Sequence, residues 1–282
     1  MPATVANLGP GFDALALAVD VANEVEIDTE APPAVLVEGE GVGELAEDAS
    51  NLVFRSMAYL AREAGGSLPP FRLRCRNAIP LERGLGSSAA ATVAGLMLAN
   101  EVLGAGLDTE GLLEVAVDIE GHPDNVAACL LGGLVVAYLS TNGWRAEPLV
   151  PDPSLRPVLL VPLEERVLTG DARRVLPREV PLSDAAHNVG RSALAVLALT
   201  ARPELLVEAL EDRLHQARRL ALAPASRALF QDLREAGLAV CLAGSGPSLL
   251  AFETDSGRLP ELGPGWRILR PGIAEGATLS GV

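Results

Sequence analysis

Hydrophobic positions along the first half of the chain follow two periods, one typical of strands and one of helices. The segments 21–27 and 71–76 carry apolar residues at alternating positions, which predicts two half-exposed strands. In the second of them every intervening residue is an arginine. Helical spacing predicts three helices, and a continuous apolar run predicts a buried strand. These elements lie at 50–64, 86–103, 108–120 and 134–139.

The second half continues with strands and helices after a stretch rich in turn-forming residues. Asn142 and Gly143, followed by Pro151 and Pro153, interrupt the apolar pattern, and we place a domain boundary between residues 150 and 151. Strands are predicted at 158–161, 238–242, 249–252 and 266–269, and helices at 171–176, 184–200, 203–214 and 224–236. We therefore expect two domains, 1–150 and 151–282, each built from strands and helices.

The charge balance excludes several classes of function. The formal net charge of −15 opposes binding to nucleic acids and to anionic membrane surfaces. All 22 basic residues are arginine, which excludes mechanisms that need a lysine, such as a Walker A loop or a pyridoxal-phosphate Schiff base. A hydrophobic content of 49% with 21% charged residues is that of an ordinary globular protein.

The cysteines and the apolar segments bear on localisation. Cys75, Cys129 and Cys241 are far apart in sequence and form no CxxC pair, and no apolar run approaches about 20 residues. We expect a reduced cytoplasmic protein with no secretory leader and no disulfide framework. The sequence leaves open whether the protein forms a homodimer.

The segment 79–91, with the sequence IPLERGLGSSAAA, is the most informative part of the chain. Its two glycines let backbone amides approach an anion closely, its two serines add hydroxyl donors, and an alanine-rich helix follows. Such a loop can hold a triphosphate without lysine. A plainer explanation is a glycine-serine turn that only caps a helix.

A dinucleotide-binding fingerprint is a second alternative, because Gly84, Gly86 and Ala89 formally match GxGxxA. That fingerprint follows a strand buried on both faces. Here the preceding strand alternates with arginine and is separated from the loop by Pro80 and Glu82, so the alternative is disfavoured.

The loop resembles the phosphate loop of the GHMP kinases, the family of galactokinase, homoserine kinase, mevalonate kinase and phosphomevalonate kinase. Three further segments resemble family motifs in the form seen in the members that phosphorylate homoserine, and the four matches stand in family order over nearly the whole chain. These segments are PATVANLGPGFD at 2–13, EGHPDN at 120–125 and LAGSGPS at 242–248.

The resemblance implies an α+β fold with a GHMP amino-terminal domain and a ferredoxin-like carboxy-terminal domain. It implies a kinase that uses ATP and Mg²⁺ to convert L-homoserine into O-phospho-L-homoserine, a step toward threonine. The expected ATP contacts are Asn51, Pro80, Arg83, Gly84, Leu85, Gly86, Ser87, Ser88 and Ala89. The expected magnesium ligands are Ser88 and Glu120, with Glu114 as a competing ligand.

Charged residues matching the family's substrate site suit an amino acid. Asp13 would face the ammonium group, and Arg173 and Arg219 would bind the carboxylate, with Arg218 as the alternative to Arg219. The whole expected substrate set is Asn7, Asp13, His122, Asp124, Thr169, Arg173, Arg219 and Gly244, and the expected catalytic set is Ser88, Glu120, Asn125 and Arg173.

Asn125 stands where mevalonate kinases place a catalytic aspartate. An asparagine cannot accept a proton, so the resemblance implies transfer by positioning and charge neutralisation, without a dedicated general base. Taken alone, several of these residues have structural explanations: Asn7 and Asp13 could shape a turn, Asn51 could cap a helix, and 244–248 could be a hairpin.

Two rival functions stay open. One is a different GHMP kinase that acts on mevalonate or a sugar. The other is a catalytically silent member that binds ATP or a metabolite as a sensor.

Overall fold

A computed structural model describes residues 1–253 and 259–281, whose strands form three separate sheets. The strands are β1 (Pro2–Ala6), β2 (Leu15–Ala22), β3 (Glu24–Asp28), β4 (Ala34–Gly39), β5 (Arg72–Asn77), β6 (Leu134–Ser140), β7 (Gly143–Leu149), β8 (Arg156–Pro162), β9 (Ala239–Leu242), β10 (Leu249–Glu253) and β11 (Trp266–Leu269). The α-helices are α1 (Leu52–Glu63), α2 (Ser87–Leu103), α3 (Thr109–Glu120), α4 (Asp124–Leu131), α5 (Thr169–Arg174), α6 (Leu182–Thr200), α7 (Leu206–Ala209), α8 (Gln216–Leu220) and α9 (Pro224–Glu235).

Two of the sheets are antiparallel and one is mixed. The first has the order β1-β2-β6-β7, the second β3-β5-β4 with β4 parallel to β5, and the third β11-β8-β10-β9. The predicted combination of sheets and helices in both halves is confirmed. None of the helices in residues 1–253 and 259–281 is long and apolar enough to cross a bilayer.

The alternation predicted for the arginine-rich strand is confirmed in β5. Leu73 and Cys75 are buried on one face, while Arg74 and Arg76 on the other face pair with acidic residues of β3 and β4. Each arginine side chain is between 31% and 41% exposed, so these ion pairs belong to the surface and stabilise the sheet only slightly.

The alanine-rich helix α2 packs so closely against α1 that one position has no room for a side chain. A Cβ atom at Gly95 would lie 2.4 Å from the backbone oxygen of Val53. The small residues of α2 let it sit among α1, α3 and α4, which fixes the position of its amino-terminal end.

The single strand predicted at 21–27 is wrong, because the chain divides into β2 and β3 at Asn23. The buried side-chain oxygen of Asn23 accepts hydrogen bonds from the amides of Ala78 and Ile79, at 2.8 and 3.0 Å. Its backbone oxygen also accepts a hydrogen bond from the amino terminus. This polar anchor moves the chain from the first sheet to the second.

The helix predicted at 203–214 is also wrong. A short 3₁₀ turn leads into α7, which ends at Ala209, and the chain then forms a loop before α8. The carboxylate of Asp212 accepts hydrogen bonds from the amides of Leu214, His215 and Gln216, so it starts a new helix instead of continuing the old one. Strands β1, β4 and β7 were not predicted, and Asn142 forms part of the turn between β6 and β7.

The carboxy-terminal residues return to the first sheet. The amide of Asp20 donates to the oxygen of Gly272 at 2.9 Å, and the amide of Ala277 donates to the oxygen of Cys129 at 2.8 Å. The proposed boundary at 150 and 151 follows β7, and it stays a prediction because residues 272–277 lie against the amino-terminal half.

The packing of α1 against α2 predicts opposite effects for two glycine-to-alanine substitutions. Gly95→Ala should lower the free energy of unfolding by about 1–3 kcal/mol, because the new methyl group meets the Val53 backbone. Gly190→Ala is the matched control within α6, where nothing lies within 4 Å of the new Cβ, so it should raise stability by about 0.5–1 kcal/mol. Denaturant unfolding measures both, and shifts of the same sign would contradict this account.

Candidate active site

A cavity of about 600 Å³ lies between the two halves of the chain. It is lined by the turn before β2, by the loop that precedes α2, by the turn between α3 and α4, and by residues of α5, α8 and the β9–β10 turn. All the segments whose motifs suggested chemistry therefore meet around one cavity.

The loop before α2 interlocks with the β9–β10 turn by direct backbone contact. A Cβ atom at Gly84 would lie 2.1 Å from the oxygen of Ala243, and one at Gly244 would lie 2.8 Å from the oxygen of Gly84. Gly84 has a φ of +73° and Gly244 a φ of +53°, which adds strain for any other residue. The amide of Ser248 also donates to the oxygen of Arg83 at 3.2 Å.

The same loop is held from the other side by β1. The amide of Thr4 donates to the oxygen of Leu85 at 3.1 Å, and Leu85 is buried. A Cβ atom at Gly86 would lie 2.0 Å from the hydroxyl oxygen of Thr4, and Gly86 has a φ of +72°. Gly86 also caps α2 and supplies no side-chain hydrogen bond, which leaves the first amides of this 17-residue helix available to an anion.

Arg83 fastens the loop to the carboxy-terminal half. Its Nε donates to the oxygen of Pro162 and its Nη2 to the oxygen of Leu163, both at 2.9 Å. Its guanidinium therefore donates mainly to backbone oxygens. Burial lowers the pKa of Arg83. Of the other expected ATP contacts, Pro80, Ser87 and Ala89 line the cavity.

Asn51 lines the cavity but also caps α1. Its side-chain oxygen accepts a hydrogen bond from the amide of Val53 at 3.0 Å, and its Nδ2 donates to the oxygen of Ala46 at 2.8 Å. Both halves of the amide are therefore engaged within the protein.

Three oxygen-bearing side chains meet beside the start of α2. The hydroxyls of Ser88 and Thr92 donate to the same oxygen, Oε1 of Glu120, at 2.8 and 2.7 Å. Hard oxygen donors of this kind fit Mg²⁺, which keeps several waters and needs few protein ligands. Glu114 points elsewhere, because its carboxylate accepts a hydrogen bond from the amide of Trp144 at 2.7 Å in β7.

Polar residues at the start of α4 are oriented by one another. The buried carboxylate of Asp124 lies 3.2 Å from Nδ1 of His122 and accepts a hydrogen bond from the amide of Asn125 at 2.8 Å. Burial disfavours the charged form of His122, but the adjacent Asp124 outweighs it and raises the pKa of His122. The hydroxyl of Thr4 donates to Oδ1 of Asn125 at 2.8 Å.

Asp13 and Arg173 form a two-point ion pair with each other. Nη2 and Nη1 of Arg173 donate to the two carboxylate oxygens of Asp13 at 2.9 and 3.2 Å. Asn7 holds the turn that carries Asp13, because its side-chain oxygen accepts from the amide of Asp13 and its Nδ2 donates to the oxygen of Gly244 at 2.9 Å. Asn7 and Asp13 both have a positive φ, so this turn is strained.

Arg219 lines the same cavity as that ion pair and is only 3% exposed. Its Nη1 donates to the oxygen of Gly244 at 3.0 Å, and burial together with the charge of Arg173 lowers its pKa to about 10. Arg219 and Thr169, the first residue of α5, both line the cavity, whereas Arg218 is exposed to solvent.

Sequence reasoning assigned no role to Thr4, Thr92 or His215. Thr92 was recognisable, because it stands four residues after Ser88 and therefore on the same face of a helix. Thr4 and His215 act through contacts with residues more than 80 positions away, at Leu85, Asn125 and Gly9, which no local pattern reveals.

The chain is similar to known proteins over most of its length. The family described as GHMP kinases N terminal domain matches residues 51–133. The chain is 45% identical over 263 residues to a homoserine kinase of Leifsonia xyli subsp. xyli, covering 92% of this chain and 81% of the relative. It is 44% identical to a homoserine kinase of Streptomyces avermitilis, covering 99% and 94%.

Among solved structures, homoserine kinase from Cytophaga hutchinsonii is similar, with a TM-score of 0.76 and 32% identity over 90% of this chain and 83% of that one. The fold and the phosphate loop define a GHMP-type small-molecule kinase. Within that class, the chain belongs to the homoserine kinase family. The family resemblance inferred from the motifs is confirmed.

The contact between Thr92 and Glu120 predicts an effect on the metal requirement. Thr92→Val removes a hydrogen bond that orients the Glu120 carboxylate, so the Mg²⁺ concentration for half-maximal activity should rise about tenfold. Thr200→Val is the matched control, because the hydroxyl of Thr200 donates only to the backbone of α6. A magnesium titration at fixed ATP measures the effect, and equal values for both variants would contradict the assignment of Glu120.

Proposed function

We propose that this chain transfers the γ-phosphate of ATP to the hydroxyl of L-homoserine, giving ADP and O-phospho-L-homoserine. The observation that carries the proposal is the presence of Asp13, Arg173 and Arg219 in the same cavity as the loop before α2. A phosphate cradle and a pair of opposite charges together fit ATP and a zwitterionic alcohol.

The loop residues would bind the ATP phosphates through their backbone. Gly84 and Gly86 allow the chain to turn tightly without side chains, and the amides at the start of α2 point their positive end toward the bound anion. Leu85 and Arg83 hold the loop in place by burial and by hydrogen bonds to backbone oxygens. This arrangement replaces the lysine of other phosphate loops.

Ser88 and Glu120 would hold Mg²⁺, and Thr92 would orient the carboxylate. The ion supplies charge neutralisation to the phosphates during transfer. Oε1 of Glu120 accepts both hydroxyls, whereas Oε2 has no hydrogen-bond partner among the described residues. The presence of these oxygen ligands for Mg²⁺ supports an active kinase over a catalytically silent sensor.

The substrate would exchange partners with the Asp13–Arg173 ion pair. The ammonium group of homoserine replaces Arg173 at Asp13, and its carboxylate replaces Asp13 at Arg173, so each charge keeps an opposite charge nearby. Mevalonate has no ammonium group to replace Arg173 at Asp13, and a neutral sugar has no charge to offer to either residue, so neither can exchange partners with this ion pair.

Asn125 would position the reacting groups without accepting a proton. Its side-chain oxygen is held by the Thr4 hydroxyl, which directs the amide nitrogen away from that contact. Transfer then depends on the alignment of the hydroxyl with the phosphate and on neutralisation of charge by the loop and the metal.

A coupled assay for ADP release across a panel of alcohols tests the function. With ATP and Mg²⁺, L-homoserine should give kcat/KM at least about 100-fold above mevalonate, galactose or L-serine, because only homoserine combines both charges with a hydroxyl at the right reach. Turnover of mevalonate without turnover of homoserine would reverse the proposal. Binding of ATP without any ADP formation would support the sensor.

Arg173→Ala tests the carboxylate contact. The KM for homoserine should rise about 10–100-fold while the KM for ATP changes by less than about twofold, because a charged hydrogen-bonded contact is lost only on the substrate side. Arg174→Ala is the matched control, since that side chain is 79% exposed on the same helix. Loss of ATP affinity with an unchanged KM for homoserine would refute the role of Arg173.

A further inference from the structure

His215 lies at the start of α8, and its ring is fully buried. Its Nε2 lies 2.7 Å from the oxygen of Gly9 in the turn before β2. A carbonyl oxygen can only accept, so Nε2 carries the proton. In the neutral ring, Nδ1 then has a lone pair and no proton.

That lone pair faces Arg219. Nη1 of Arg219 lies 3.3 Å from Nδ1 of His215, and a guanidinium can only donate. The two contacts of the ring are therefore complementary only in one tautomer, with the proton on Nε2. Because Arg219 can only donate to Nδ1, this contact requires the neutral ring. Burial and the charge of Arg219 also lower the pKa of His215, against the opposing charges of Asp212 and Asp13.

Four contacts fix the Arg219 guanidinium. Nη1 donates to His215 and to the oxygen of Gly244, Nε lies 3.5 Å from the oxygen of Ala172, and the ring of Phe12 lies 5.3 Å from the guanidinium carbon. Phe12 also packs against the His215 ring at 5.3 Å between centroids. Nη2 has no hydrogen-bond partner among the described residues, although Arg219 lines the cavity.

We propose that His215 is a positioning residue that links the turn before β2 to Arg219 and directs Nη2 toward the carboxylate of the substrate. The inference rests on the proposed function, because it gives Arg219 a substrate carboxylate to bind. His215 touches neither substrate nor ATP and acts only through Arg219. Its role is to make the direction of Arg219 depend on the position of Gly9. Gly9 lies five positions after Thr4, the residue of β1 that holds the phosphate loop.

Two substitutions separate positioning from packing. His215→Phe keeps the ring volume and loses both hydrogen bonds, so the KM for homoserine should rise about 10–100-fold and the KM for ATP should change by less than about twofold. His215→Gln keeps a donor for Gly9 and an acceptor for Arg219, and should bring the KM for homoserine to within about fivefold of the wild-type value. Equal rises in both KM values, or a Gln variant no better than Phe, would overturn the proposal.

A double-mutant cycle tests whether His215 acts through Arg219. In an Arg219→Ala background, His215→Phe should change the KM for homoserine by less than about twofold, because the group that it orients is gone. Arg218→Ala, an exposed neighbour on α8, is the matched control background and should leave the full effect of His215→Phe. Additive effects with Arg219→Ala would overturn the proposal.

A measurement on the wild-type chain remains decisive if His215→Phe does not fold. The chain has three histidines, so nitrogen-15 NMR of labelled histidine side chains resolves them. His215 should be neutral with its proton on Nε2, and protonation of Nδ1 at neutral pH would overturn the proposal. If the wild type forms no ADP in the presence of homoserine, the proposed function itself is contradicted. If the wild type is active and His215→Phe raises the KM values for homoserine and ATP equally, only the role of His215 is contradicted.

Discussion

The close backbone contact between Gly84 and the oxygen of Ala243 is the constraint on which the cavity depends. It brings the loop before α2 against the β9–β10 turn, which lies about 160 residues further along the chain. Thr4 supports the loop from the opposite side, so the amino-terminal end of α2 cannot shift without breaking contacts with both β1 and the β9–β10 turn. Rigid placement of these amides lets an anion bind without further ordering of the backbone.

The contact between the loop before α2 and the β9–β10 turn also explains how a chain without lysine could bind a polyphosphate. Positive potential at the loop comes from the end of α2 and from fixed amides, while the arginines serve other purposes. The guanidinium of Arg83 donates to the oxygens of Pro162 and Leu163, and Arg173 and Arg219 line the same cavity as the loop. Arginine's planar donor pair suits a carboxylate, so the distribution of roles follows from side-chain chemistry.

Much of the site was predictable because its residues stand in short motifs whose chemistry is local. The glycines of the phosphate loop, the pairing of Ser88 with Glu120 and the half-exposed strand β5 follow from spacing and from the family resemblance. The break at Asn23 was not predictable, because its side chain accepts hydrogen bonds from amides 55 and 56 positions away. The end of α7 was missed for a different reason: Asp212 accepts hydrogen bonds from amides only two to four positions away, within a segment whose apolar spacing is helical. The helix and strand propensities of neighbouring residues do not reveal such contacts.

The same distinction applies to the charges of the cavity. The sequence predicted Asp13 and Arg173 as separate contacts for a zwitterion, and the structure pairs them with each other, 160 positions apart. Such a pair keeps both charges neutralised in the absence of a ligand, which reduces the cost of burying them. The contact between His215 and Arg219 likewise emerged only from the distance between the two side chains.

A crystal structure with a non-hydrolysable ATP analogue, Mg²⁺ and L-homoserine tests the central claim most directly. The account predicts the phosphates on the amides of residues 84–89, the metal between Ser88 and Glu120, and the homoserine carboxylate against Arg173 and Arg219. A nucleotide bound elsewhere, with the loop before α2 free of phosphate, would contradict it.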